Sequence, residues 1–243
     1  MTLIESTNAT LSTLRKEARA LLNEFDVADA LASYYALHHE PKRTTLVISR
    51  REGEVNGMVA RCMTGIDLFR PVITLRLRGQ NALPAILHKA LVPGRPYLLI
   101  VPESYVTRLE PHLQLSGLST NLLLRLDPAQ FTPQMNALVV ETTAPDGTPR
   151  TEIRREEQVV GAAGVNWVSP LFAEVYVTVN EQHRLKGLGR SLLTTLIATL
   201  IKRQVTPLYT VDVTNQPSLA LAKSVGFVET GAREVMGTAM LGG

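Results

Sequence analysis

The sequence predicts an α/β protein: a mixed, mostly antiparallel sheet flanked by helices, built twice in tandem. Three observations predict it. Short β-branched runs alternate with amphipathic helical stretches, the pattern of a layered α/β fold. The order of these elements recurs in the second half of the chain. No apolar run approaches the roughly 20 residues that a membrane helix needs, while 45% hydrophobic and 19% charged residues in a chain of 243 allow a buried core in each half.

Residues 8–24 and 27–38 carry apolar side chains at helical spacing and predict two amphipathic helices. "RTTLVISR", "VNGMVARCM" and "PVITLRLR" then predict three strands, the first two joined at the turn "REGE". A short helix is expected at "ALPAILHKAL", a strand at "RPYLLIV", a helix at "ESYVTRLEPHL" and a strand at "NLLLRL". In the second half "ALVVETT" turns at "PDG" into the strand-forming stretch "TEIRREEQVVGAAGVNWV", and "FAEVYVTV" is the next strand. The long helix "LGRSLLTTLIATLIKR", the strand "PLYTVDV", the helix "PSLALAKSV" and a strand from Phe227 onward complete it. "EVNGMVA" at 54–60 and "QVVGAAG" at 158–164 each place a glycine three residues after the acid or amide that opens the strand. The order β-β-β-α-β-α-β therefore occurs twice, once in residues 1–132 and once in 133–243.

Composition narrows the function. The net charge of +3 comes from scattered Lys and Arg with only 5% aromatic residues, which argues against a nucleic-acid surface and suits an anionic small molecule. The single cysteine, Cys62, excludes an internal disulfide and sits in the strand-like run "NGMVARCMTG", so a buried, inert thiol is expected. The five histidines include His38 and His39 but no H-x-x-x-H spacing, so no metal is expected. The opening "MTLIESTNATLSTLRKEARALL" mixes charges into a helical pattern, unlike a signal peptide, so the expected location is the cytoplasm, with no membrane partner.

The two halves differ where a strand feeds the main helix. The first half reads "RGQNALPAIL" there, with Pro84 in the helix start; the second reads "RLKGLGRSLL", with Gly187 and Gly189. Glycines serve a tight turn, and at a helix N-terminus they also let a phosphate approach unpaired backbone N–H groups. The chain has no G-K-[ST] and no G-x-G-x-x-G, which argues against an ATP or dinucleotide site.

The strand "EVYVTV", the turn "NEQHRLKGLG" and the following helix are similar to the acyl-CoA-binding signature R-x-x-G-x-G of the GNAT superfamily of N-acetyltransferases, with Arg184, Gly187 and Gly189 at its fixed positions. "TVDVTNQPSLALAKSVGF" resembles that family's second segment through Asn215, Ser218, Gly226 and Phe227. The resemblance covers roughly residues 135–240 and implies acetyl-CoA as cosubstrate, with no metal. It implies a pyrophosphate cradle formed by Arg184, Leu185, Lys186, Gly187, Leu188, Gly189 and Arg190, and a pantetheine arm on the backbone of Val177 and Val179, met by Asn215 and Ser218.

Strand alternation puts Val175, Val177 and Val179 on one face and Glu174, Tyr176 and Thr178 on the other. Glu174 resembles the glutamate that some family members use as general base. Ala222 stands where many members have a tyrosine that protonates the departing thiolate, which leaves Tyr176 or Tyr209 as candidate acids. The implied reaction is direct attack by the amine of a small molecule or peptide in a ternary complex; the alternative is a non-catalytic acyl-CoA-binding or regulatory module. Residues 1–132 would be a degenerate GNAT-like domain that shapes the acceptor cleft and binds no CoA. The sequence leaves the oligomeric state open, with an edge strand near the C-terminus as the place where a homodimer would pair.

Overall fold

The computed structural model describes residues 10–65, 67–79, 82–134 and 136–242. Its contacts divide the chain into two units, Met1–Asn121 with Arg233–Gly243, and Leu122–Ala232.

In the first unit, helices α1 (Leu11–Ala18) and α2 (Val27–Ser33) precede the antiparallel strands β1 (Thr44–Arg51), β2 (Glu54–Cys62) and β3 (Val72–Leu77). Both helices begin on a side-chain cap: Thr13 N–H donates to Thr10 Oγ1, and Ala28 N–H to the Asp26 carboxylate. The helix expected over 8–24 is shorter, because α1 tightens into a 3₁₀ turn at Arg19–Leu21; residues 8 and 9 lie outside the described residues. Helix α3 (Leu83–Ala90), strand β4 (Pro96–Pro102), the one-turn α4 (Val106–Leu109) and strand β5 (Leu113–Leu126) follow. The helix expected at "ESYVTRLEPHL" ends early because Pro111 has no N–H to carry the helical bonding past Glu110, and β5 starts well before "NLLLRL". The strand order is β1-β2-β3-β4-β11-β5, where β11 is Phe227–Leu241. Ile73, Leu75, Leu87, Leu99 and Ala239 form the centre of this unit's core.

In the second unit, β6 (Val139–Thr143), β7 (Pro149–Arg155), β8 (Gln158–Val168) and β9 (Phe172–Val179) pair antiparallel in succession. Helix α5 (Leu188–Lys202), strand β10 (Thr206–Asp212), parallel to β9, and helix α6 (Gln216–Val225) lead into β11. The order is β11-β5-β10-β9-β8-β7-β6. Helix α5 buries Leu192, Leu193, Leu196 and Ile197 in a core shared with Ile153, Ala163, Val165 and Val175. Each such side chain contributes about 1.5–3 kcal/mol.

The duplication is visible in backbone detail. In the β1–β2 hairpin and the β7–β8 hairpin the register shifts just beyond a glycine: Ser49 faces Gly57 before the shift to Arg50↔Val55, and Ile153 faces Gly161 before the shift to Arg154↔Val159. A Cβ on Gly57 would meet Leu77 Cδ2 at 2.9 Å, and one on Gly161 would meet Leu192 Cδ1 at 3.0 Å, so both glycines admit a neighbouring leucine.

The division differs from a linear cut at 132/133, because the long strands β5 and β11 each supply residues to both units. For the same reason the C-terminal strand is not an edge: β11 lies between β4 and β5. Among the described residues no helix is long and apolar enough to cross a membrane.

Candidate active site

Strand β9 loses a partner halfway along. Strand β10 pairs with it only over Thr206–Leu208 against Phe172–Glu174, so the two parallel strands part after Glu174. On its other side β9 stays paired with β8 as far as Gly161↔Val179. Asn180 N–H donates to the Val160 carbonyl at 2.9 Å. The alternation of an antiparallel ladder then turns Thr178 and Tyr176 toward β8 and directs the N–H and C=O of Val177, with the N–H of Val179, to the edge that β10 has left. The Val179 carbonyl accepts from Arg184 Nε at 3.2 Å.

The chain then turns through Glu181–His183 into α5. Gly187 is the N-cap, in the left-handed region at φ +73°, and no side chain caps the helix. The N–H groups of Leu188, Gly189 and Arg190 are the unpaired first donors of a long helix, a ready anion site. The two glycines meet different demands. A Cβ on Gly187 would meet nothing within 4 Å, so this residue is required by its φ alone. A Cβ on Gly189 would lie 3.3 Å from Leu221 Cδ2 and 3.7 Å from Val179 Cγ2, so this one lets α5 approach α6 and β9.

The other loop residues divide by what their side chains do. Arg184 ties the turn to β9 through Val179 and pairs with Glu181 at 3.4 Å, and Lys186 Nζ donates to the Gln182 carbonyl at 3.2 Å. The Leu188 side chain belongs to the core, leaving only its backbone to the loop. Arg190 is exposed on the first turn of α5. Leu185 is fully exposed and left-handed at φ +61°, a conformation costly for leucine. Asn215 caps α6 by accepting from Ser218 N–H at 3.1 Å. The Ser218 hydroxyl is 2.9 Å from that of Tyr209, which is buried against Phe227, and burial raises the Tyr209 pKa.

Glu174 occupies the branch point, on the sheet face away from α5. Its carboxylate accepts from Asn166 Nδ2 and Trp167 Nε1, both at 2.8 Å, and from Thr210. Both β8 donors reach it because the register shifts between Val165 and Trp167. Burial raises its pKa above the ordinary glutamate value, against the three hydrogen bonds, which lower it.

Tyr176, two residues on and on the same face, lies over Gly164. Arg150 Nη1 donates to its hydroxyl at 2.8 Å, and Arg150 Nε donates to Glu152 at 2.8 Å. That hydroxyl therefore leans toward β7, while Tyr209 faces α6. Asn166, Trp167, Thr210, Arg150 and Glu152 were not expected from the sequence; the signal was the bulged "GVNWV" and the alternating charges of "PRTEIRR".

The corresponding place in the first unit is closed by its own side chains. There β3 and β4 part after Ile73↔Leu99, and the N–H of Leu77 donates to the Tyr105 hydroxyl at 3.1 Å. Its main helix carries Pro84 in the first turn, which removes an N–H donor.

Residues 120–227 match the model of the acetyltransferase (GNAT) family. This segment is a GNAT-family domain. No curated protein compared with the chain matches it. Solved structures share its fold along nearly its whole length. A tandem GNAT protein from the clavulanic acid biosynthesis pathway is 15% identical over 100% of this chain and 98% of its own, with a TM-score of 0.63. A GCN5-related N-acetyltransferase-like protein from Streptococcus suis 89/1591 is 12% identical over 94% and 99%, with a TM-score of 0.62. A GCN5-related N-acetyltransferase from Sphaerobacter thermophilus is 10% identical over 95% and 93%, with a TM-score of 0.64. These likenesses concern the fold, and through it both units of the tandem chain. Among the described residues no group of three or more His, Cys, Asp or Glu is placed to hold a metal ion.

Proposed function

We propose that the GNAT domain binds acetyl-CoA and transfers its acetyl group to a primary amine. One observation carries the reading: β10 leaves β9 just after Glu174, so a half-buried, hydrogen-bonded carboxylate, an unpaired strand edge and an uncapped helix start follow one another along a single strand-loop-helix segment. An acyl-CoA fits these groups. The N–H groups of Leu188, Gly189 and Arg190 would hold the diphosphate, with Arg184, Lys186 and Arg190 raising the local positive potential and Leu185 projecting beside it. The backbone of Val177 and Val179 would pair with the pantetheine amides as an added strand, with Asn215 and Ser218 at the opposite wall.

The thioester supplies an acyl carbon open to attack. Glu174 takes a proton from the acceptor ammonium, which frees the nitrogen lone pair. The C–N bond forms as the C–S bond breaks, and the second nitrogen proton ends on sulfur to give the thiol. Tyr176 and Tyr209 are the two hydroxyls available to deliver it. Attack is direct; the chain's cysteine, Cys62, belongs to the first unit, with its pKa pushed up to about 12 by burial. The first unit binds no CoA in this reading, since Tyr105 takes the Leu77 edge. The partner is a small-molecule or peptide amine rather than nucleic acid or membrane, in the cytoplasm.

The buried Ala222 and the engaged hydroxyls of Tyr176 and Tyr209 favour one second reading, an acyl-CoA-binding module without turnover. Calorimetric titration with acetyl-CoA and with CoA, followed by thiol release against a panel of amines, separates the two. Binding with amine-dependent thiol release supports transfer, binding alone selects the module, and no binding of either ligand removes both.

A further inference from the structure

On the sheet face away from α5, the second unit carries a polar row whose arginines, Arg150 and Arg154, have no part in the acetyl-transfer chemistry. The register aligns Arg150 with Gly164 and Gly164 with Tyr176, so these positions form one line across β7, β8 and β9. Gly164 leaves the floor low, and the Tyr176 ring lies across it: a Cβ there would come within 2.6 Å of the hydroxyl. Beside the line, the buried Glu152 carboxylate accepts from Arg150 Nε at 2.8 Å and from Arg154 Nε and Nη2 at 3.0 and 2.9 Å. Two guanidinium groups thus face one carboxylate, an excess of one positive charge. Each guanidinium has five N–H donors, more than Glu152 and Tyr176 engage. The Arg150 and Arg154 side chains remain 29% and 56% exposed, so a solute reaches both.

Glu174 stands on the same face, two positions along β9 from Tyr176. Two strand residues span about 7 Å, and two interstrand steps about 10 Å. An acceptor with its amine at Glu174 therefore meets the arginines with a group on the order of 8–12 Å away. We infer that the acceptor is a small-molecule amine that also carries a carboxylate, separated from the nitrogen by a chain of several bonds, which Arg150 and Tyr176 hold while Glu174 faces the amine. This rests on the acetyl-transfer reading for the role of Glu174, and it adds the acceptor's class. An amine without an anion gains nothing from the arginines, and a diamine is repelled by them.

The test uses the full chain and two matched probes, ε-aminocaproate and hexylamine. Equilibrium binding of each is measured in the presence of CoA, independently of turnover, and thiol release from acetyl-CoA is measured alongside. Aminocaproate should bind about tenfold or more tightly than hexylamine, as loss of a charge-assisted hydrogen bond predicts. Arg150→Gln should remove that preference while leaving hexylamine binding and CoA affinity as they were. Glu152→Gln should strengthen it, because the arginines lose their internal counter-charge. Equal binding of the two probes by the unaltered protein overturns the inference, as does an Arg150→Gln variant that weakens both probes alike. A clear preference for aminocaproate with no thiol release from any amine would leave this site standing and defeat the transfer reading instead.

Discussion

Replacing Gly187 by glutamate separates the two uses of a glycine at a helix start. At φ +73° a residue with a Cβ pays about 1–2 kcal/mol for left-handed backbone. No atom lies within 4 Å of the added Cβ, so there is no steric cost beyond that. A carboxylate at an uncapped helix N-terminus recovers about 0.3–1 kcal/mol from the helix dipole. Folding should therefore weaken by only about 1 kcal/mol, a few degrees in the melting midpoint. Binding is another matter. A carboxylate about 4 Å from one phosphate group, at an effective dielectric of about 20, opposes it by about 4 kcal/mol, close to a thousandfold in affinity. Calorimetric titration with CoA should be run on Gly187→Glu and on Gly187→Ala, which carries the same backbone strain without the charge. The alanine variant should stay within about tenfold of the unaltered protein. If the glutamate variant binds as tightly as the alanine variant, no phosphate sits at this turn and the loop assignment fails.

Glu174→Gln should lower turnover far more than it lowers CoA affinity, and normal turnover would end its role as base. Because burial raises the Glu174 pKa, the carboxylate is protonated and inactive at low pH, and the rate should climb through a midpoint above the ordinary glutamate range, a limb that the glutamine variant lacks. Gly164→Ala drives the Tyr176 ring off β8 and breaks its bond with Arg150; since the half-buried ring can swing outward, urea unfolding should show a loss of about 1 kcal/mol, and a far larger loss would show that the ring is locked in place. With its pKa pushed up to about 12 by burial, Cys62 should resist alkylation in the native protein at neutral pH and label rapidly in denaturant; fast native labelling would mean that the thiol is exposed.

The sequence by itself determined what depends on local spacing. Alternation along "EVYVTV" fixed which side chains face α5, because a strand's period of two holds wherever the strand sits. The glycine turn and the helix after it were equally legible, since φ +73° at Gly187 is a preference written in residue type. The repeated element order was legible only in part: "TEIRREEQVVGAAGVNWV" folds as two strands, β7 and β8, so four strands precede α5 where three precede α3. Tertiary structure decided whatever depends on partners far away in sequence. That β10 leaves β9 at Glu174 follows from how the two strands are packed, and neither carries a residue that announces it. The bulge that brings Asn166 and Trp167 together on Glu174, and the alignment of Arg150 with Tyr176 across Gly164, are matters of register, which a sequence read one strand at a time does not contain. The division into units was hidden for the same reason: β5 and β11 read as ordinary strands, and only their pairing shows that each serves both units, because backbone hydrogen bonding selects neighbours by position in space and not by order in the chain.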